Sequence, residues 1–101
     1  MKISEAIKIG MQGRTQCIGR YWDYYTEDIT EIRECCALGA AYIGWSQFTG
    51  KPFQPFAMGP ISLRFENLQG HNSIGGMIME WNDQERLSFE EIIAKLEERG
   101  L

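Results

Sequence analysis

Asp28-Ile29-Thr30-Glu31-Ile32-Arg33-Glu34-Cys35-Cys36-Ala37-Leu38-Gly39-Ala40-Ala41-Tyr42-Ile43-Gly44 is the stretch on which the fold turns. Ile29, Ile32, Cys36, Ala40 and Ile43 recur on one helical stripe, and Glu27, Glu31 and Glu34 gather near its start, where the helix dipole favours anions. This pattern predicts a central helix that begins at Asp28 and stops at Gly44. Ala37, Gly39, Ala40 and Ala41 project little side chain, so a second helix can approach the backbone closely.

On the N-terminal side, Ile3, Ala6, Ile7, Gly10 and Met11 share a helical face and predict a first helix over about residues 4 to 12. Ser4 is the candidate cap, and Gly13 can take the left-handed conformation that stops a helix. A loop rich in glycine and aromatic residues follows. On the C-terminal side, residues 45 to 60 hold Gly50, Pro52, Pro55, Gly59 and Pro60, which exclude a regular helix and predict an irregular connection with a turn at Thr49-Gly50-Lys51-Pro52. Trp45, Phe48, Phe53, Phe56 and Met58 are too apolar for a solvated linker, so this loop should lie as a lid over the core. Ile61, Leu63 and Phe65 alternate with Ser62, Arg64 and Glu66, which reads as a short strand.

The last third predicts two helices. Ile74, Met77, Ile78 and Trp81 form one stripe, Asn82-Asp83 reads as a turn, and Ser88 with Glu91 forms a capping box flanked by the staple residues Leu87 and Ile92. A helix over about residues 89 to 99 should then stop at Gly100, with Glu91 paired to Lys95. The expected fold is mainly α, a compact bundle of three or four short helices with a long aromatic loop and room for one short strand or hairpin. Ile7, Met11, Ile32, Cys36, Ile43, Ile78, Trp81, Ile92 and Leu96 should form the core of a single domain spanning residues 1 to 101.

A chain of 101 residues, 44% of them apolar, can bury enough surface for one core. No run approaches the ~20 apolar residues of a membrane span, and an acid at Glu5 interrupts any secretory segment, so the chain as written is expected to be the mature protein. Three cysteines, two of them adjacent, cannot make a disulfide framework, and a reducing cytoplasm is the expected setting. The net charge of -4 is split: residues 1 to 25 carry +2 and the rest -6. Such a chain should associate with itself or with a basic partner, and it disfavours unspecific phosphate binding.

Each candidate chemistry competes with a plainer explanation. Cys17, Cys35, Cys36 and His71 are zinc-type ligands, but they lack close-pair spacing and Cys36 falls on the apolar stripe, so no metal is expected. Cys17 with His71 is the available thiol and base pair, yet neither sits in a nucleophile motif, and no catalytic residue or cofactor is assigned. Gly10-Met11-Gln12-Gly13-Arg14 fits the bare GxxG pattern of an RNA-binding loop without the surrounding strands and helices. A helix-turn-helix made of the last two helices would place four glutamates against a phosphate backbone. Nucleic acid is therefore not the expected partner.

Tyr21-Trp22-Asp23-Tyr24-Tyr25 is the most unusual composition in the chain, because four aromatics in five residues cannot all enter one small core. Tyr21, Trp22, Tyr24 and Tyr25 are candidate binding residues, since such rings anchor interfaces at low entropy cost. Asn82 and Asp83 complete the candidate set, although a side-chain oxygen there also suits tying the turn to backbone amides.

Cys36-Ala37-Leu38-Gly39-Ala40-Ala41, then Trp81-Asn82-Asp83, then Ser88 with Glu91-Ile92 and Leu96, resembles a group of small bacterial and phage proteins with the same helix, turn and final capped helix. The resemblance touches about half of the chain and implies the helical organisation, with no activity to carry over. The leading functional expectation is a non-enzymatic protein-interaction or regulatory module. The alternatives are a small enzyme or ligand-binding protein with a pocket under the 45 to 60 loop, and an acidic mimic of nucleic acid.

Overall fold

Among the described residues four α-helices carry the fold: α1 (Ile3–Gly10), α2 (Ala37–Thr49), α3 (Ile74–Asp83) and α4 (Phe89–Glu98). Two short parallel strands, β1 (Thr15–Gln16) and β2 (Glu34–Cys35), pair Thr15 with Glu34 and Gln16 with Cys35. The computed structural model describes residues 1–65, 68 and 70–101. The chain is a mainly helical bundle with a radius of gyration of 12.1 Å, near the ~13 Å of a compact chain of this length. No helix among the described residues is long and apolar enough to cross a membrane.

The α1–α2 seam is made by small residues spaced four apart. A Cβ at Gly10 would overlap the carbonyl of Ala40, and a Cβ at Gly44 would overlap the carbonyl of Ala6. The two helices therefore run antiparallel with their backbones in contact. The close approach expected from the alanines and glycines of the central helix occurs here, with Ala40 and Gly44 as the contact points. Gly44 does not end α2. It sits inside the helix, which continues to Thr49 and stops at Gly50, whose φ of 72° is the left-handed conformation.

The expected start of the central helix is corrected as well, and the reason lies outside its own sequence. Asp28 accepts from the Thr30 amide at 3.0 Å and caps a single 3₁₀ turn, Ile29–Glu31, instead of an α-helix. Arg14 then donates to the carbonyls of Ile29 at 2.6 Å and Ile32 at 3.0 Å, while Asp23 accepts from the amides of Arg33 and Glu34, both at 3.1 Å. With those groups taken and Glu34–Cys35 paired to β1, the backbone has no i to i+4 bonds left to make there. Arg14 is thereby committed to carbonyls, including Gly10 at 2.9 Å, and the GxxG segment is a helix end and a turn.

Three smaller expectations also change. Ser4 lies inside α1, which starts at Ile3, and both its amide and its hydroxyl donate to the main-chain oxygen of Leu101, at 3.2 and 3.1 Å. That oxygen takes the capping role expected of Ser4. Ile61–Leu63 is a 3₁₀ turn and not a strand, with Leu63 exposed; Glu66, the last residue of the expected strand, lies outside the described residues. Residues 45–49, placed in the loop by sequence, belong to α2.

The C-terminal capping box is present as expected. Glu91 N donates to Ser88 Oγ at 3.1 Å and Ser88 N to Glu91 Oε1 at 3.0 Å. Gly100 has φ 73° just beyond α4. Lys95 does not form an ion pair with Glu91 among the described residues; its Nζ lies 5.6 Å from the centre of the Trp81 ring, with Arg99 at 5.2 Å. The nine expected core residues are buried except Met11, which is partly so and packs on the core.

Candidate functional site: an aromatic cleft

Residues 21 to 23 run beside β2 and position the rings that follow. Cys36 N donates to Tyr21 O at 3.0 Å, Asp23 N donates to Glu34 O at 3.2 Å, and Trp22 bridges to Cys35. Gly39 makes this possible, since a Cβ there would meet the Tyr21 carbonyl. Trp22 is consequently a core residue, 2% exposed, with Nε1 donating to Gly39 O at 3.4 Å.

Around Trp22 the rings form one connected cluster. Its centroid lies 5.4 Å from those of Tyr21 and Tyr25 and 5.0 Å from Phe53, and Tyr25 stacks on Phe56 at 5.1 Å. Edge-to-face and offset geometries of this kind are favourable for aromatic quadrupoles. Tyr21, Trp22, Tyr25, Tyr42, Phe56 and Met58 line a cleft of about 210 Å³. A second hollow of about 240 Å³ adjoins it and shares Tyr21, Tyr42 and Gly59 with it. Tyr42 Oη donates to Gly59 O at 2.6 Å, so the divider between the two is a hydrogen bond that ties the loop to α2.

Two separate expectations thus meet in one place. Tyr21, Trp22 and Tyr25 of the aromatic segment form one wall of the cleft and Pro55, Phe56, Met58 and Gly59 of the 45 to 60 loop another, while Tyr24 is not part of the lining. Phe53 and Met58 are buried and pin the loop to the core, while Phe56 is 83% exposed. Tyr24 and Tyr25 are also exposed, and Tyr21 is half-buried. Burial pushes the Tyr42 hydroxyl up to about 12 and raises that of Tyr21, so both remain neutral donors at ordinary pH. Tyr42 and Gly59 were not singled out by sequence. A tyrosine among alanines and glycines on α2 was the available signal, because its hydroxyl needs a partner when buried.

Asn82 and Asp83 lie elsewhere and are fully engaged with the chain. They form the last turn of α3, not a free turn after it. Asn82, 1% exposed, accepts at Oδ1 from Gln16 Nε2 at 2.7 Å and Ala37 N at 3.0 Å, and donates through Nδ2 to Cys17 O at 2.9 Å and Asp83 Oδ1 at 2.7 Å. Asp83 Oδ1 also accepts from Gly19 N at 3.2 Å. A side-chain oxygen does tie backbone amides there, but the amides belong to distant segments. Together with Cys36 Sγ, which accepts from Gly39 N at 3.3 Å, Asn82 satisfies the open end of α2.

The thiols occupy unreactive surroundings. Cys17, Cys35 and Cys36 are free and buried. Desolvation pushes Cys35 to about 12 and Cys36 to about 11, and raises Cys17, whose Sγ donates to Arg20 O at 3.5 Å. A raised thiol is a poor nucleophile at neutral pH. His71 is exposed, and no hydrogen bond joins it to Cys17 among the described residues. Among those residues no three His, Cys, Asp or Glu side chains gather in a way that could hold a metal ion.

Two carboxylates of the segment that follows Trp22 are held in the charged form. Partial burial opposes the charge on Asp23, but the amides of Glu34 and Arg33 outweigh it and hold the carboxyl below its usual range. The Thr30 hydroxyl and amide do the same for Asp28. No protein-family model, curated protein or solved structure matches the chain.

Proposed function

We propose that the protein is a non-enzymatic interaction module whose aromatic cleft receives a single basic side chain, lysine or arginine, from an extended segment of a partner protein. The observation that carries this is an aromatic cleft whose ring-bearing segment runs on, in sequence, into an acidic stretch. Five rings line or rim about 210 Å³, and the stretch from Tyr21 to Ile32 carries Asp23, Glu27, Asp28 and Glu31 with no basic residue. Such a volume is below the ~300 to 1,000 Å³ of typical small-molecule pockets and suits one side chain. Ring faces attract cations, by roughly 0.5 to 2 kcal/mol depending on desolvation. The protein's other two tryptophans already carry its own cations, Lys51 and Arg64 at Trp45, Lys95 and Arg99 at Trp81. Three free thiols fit a reducing cytoplasm as the setting.

The test is an NMR titration of the ¹⁵N-labelled protein with a short Gly-Ser peptide bearing one lysine, beside the same peptide with norleucine in its place. Shifts at Tyr21, Tyr25, Tyr42 and Phe56 are expected with the lysine peptide. Loss of at least about fivefold in affinity is expected on changing Tyr25→Ala and Phe56→Ala together. Equal response to the norleucine peptide, or shifts confined to other residues, would refute the proposal.

A further inference from the structure

A second cleft has the opposite electrical character. It encloses about 550 Å³ between the start of α1 and the end of α2, and its walls include Lys2, Glu5, Trp45, Phe48, Lys51 and Arg64. In a chain of net charge -4, three basic side chains face this space against one carboxylate side chain among the described residues. The volume falls in the range of small-molecule sites.

Two of the cations are held in place. Lys51 Nζ lies 5.8 Å and Arg64 Cζ 4.7 Å from the centre of the Trp45 ring, which is itself buried. Arg64 also donates to Met58 O through Nε at 3.1 Å and through Nη2 at 2.6 Å, which leaves Nη1 without a protein acceptor among the described residues. Lys51 follows the left-handed Gly50, and its carbonyl accepts from Ser46 Oγ at 2.6 Å. Groups fixed in this way lose less freedom when a ligand binds.

The pair of cations over Trp81 offers a contrast. Lys95 belongs to α4 and Arg99 follows directly on its last residue; that helix also carries Glu90, Glu91, Glu97 and Glu98, so their charge is offset locally. The Trp45 cleft has instead an uncovered ring on its wall, Phe48, 64% exposed although it belongs to the same helix. An exposed phenylalanine next to fixed cations presents a flat apolar face and an anion site together.

We propose that this cleft binds a mononucleotide, with the phosphate against Lys51, Arg64 and Lys2 and the base on the face of Phe48. Phosphate takes charge-assisted hydrogen bonds from guanidinium and ammonium groups, and a base stacks on an aromatic ring without regard to its identity. A mononucleotide suits the site better than a polymer, because the surrounding net negative charge repels an extended phosphate backbone.

The test is calorimetry of the intact protein with AMP, inorganic phosphate and adenosine, with NMR mapping of the AMP-bound form. AMP is expected to bind at least about fivefold more tightly than either phosphate or adenosine, and to weaken as salt is raised. Lys51→Ala and Phe48→Ala, both at exposed positions, should each lower AMP affinity by at least about threefold while the circular dichroism stays unchanged. Shifts should fall on residues 45 to 51, and Tyr25→Ala with Phe56→Ala should leave AMP binding intact. Equal affinity for AMP and phosphate, no binding at about 10 mM AMP, or shifts at residues 21 to 25 would each overturn the assignment.

Discussion

The α1–α2 seam and the aromatic cleft are built by opposite means. At the seam, side chains have been removed until two helix backbones touch, so Gly10, Gly44, Ala6 and Ala40 have no space to give. At the cleft, large rings have been added until they outgrow the core, so Phe56 and Tyr25 remain in solvent. Close backbone contact leaves no relaxation path for an added atom, whereas a ring at a rim can be removed without opening a cavity. Stability and the proposed recognition are thus housed in separate parts of a very small molecule.

The largest effect should come from breaking the seam. Gly44→Leu is expected to prevent folding or to cost more than about 4 kcal/mol in urea denaturation, because the branched side chain must displace the Ala6 backbone. A loss under about 1 kcal/mol would mean the helices can part, and the contrast between the two regions would collapse.

Asn82→Ala is expected to cost about 2 to 4 kcal/mol, since it strands the amide of Ala37 and the carbonyl of Cys17 and leaves Gln16 Nε2 with Leu87 O as its one acceptor among the described residues. Hydrogen exchange at the first turn of α2 should rise in this variant before global unfolding. Unchanged protection of Ala37 would show that its amide has another partner.

Alkali gives a smaller and graded effect. The ordinary value of the thiols is 9.0, and folding raises Cys35 to about 12 and Cys36 to about 11; Tyr42 rises from 10.0 to about 12. Each group is protonated in the folded protein where the unfolded chain would release its proton. Their contribution is therefore complete below the unfolded values and lost as pH rises from about 9 to about 12. The urea midpoint should fall over that window, and Cys35→Ala should make the fall shallower. An identical slope in that variant would remove Cys35 as a cause.

The smallest change in stability is expected at the cleft rim. Phe56→Ala should shift the unfolding free energy by less than about 0.5 kcal/mol while lowering affinity for the lysine peptide. A large loss of stability there would make Phe56 part of the core and weaken its assignment to recognition.

Helices closed by local chemistry were the most legible in the residues. The Ser88 and Glu91 capping box and Gly100 define α4 within a few positions of each other, and both ends agree with sequence. The stripe of Ile74, Ile78 and Trp81 likewise forms α3. The aromatic site was half legible: the composition of residues 21 to 25 and the apolar loop with Phe56 marked its walls separately, but nothing in the sequence joined the two or announced Tyr42 and Gly59 as the tie between them. Alternation at Ile61, Leu63 and Phe65 imitated a strand because a 3₁₀ turn, with about three residues per turn, also separates neighbouring apolar positions.

The sequence by itself determined the mainly helical class, the core residues and the capped last helix, since these follow from periodicity and from groups within one or two turns of each other. Only the tertiary structure decided where α2 begins and ends. Arg14, Asp23 and β1 claim the backbone of residues 29 to 35, Asn82 caps Ala37 from 45 positions away, and Gly44 is kept helical by the backbone of α1 lying against it. Hydrogen-bonding groups can be satisfied by any partner that the fold brings within reach, so a helical pattern sets what a segment can become and the competition for its amides and carbonyls sets what it is.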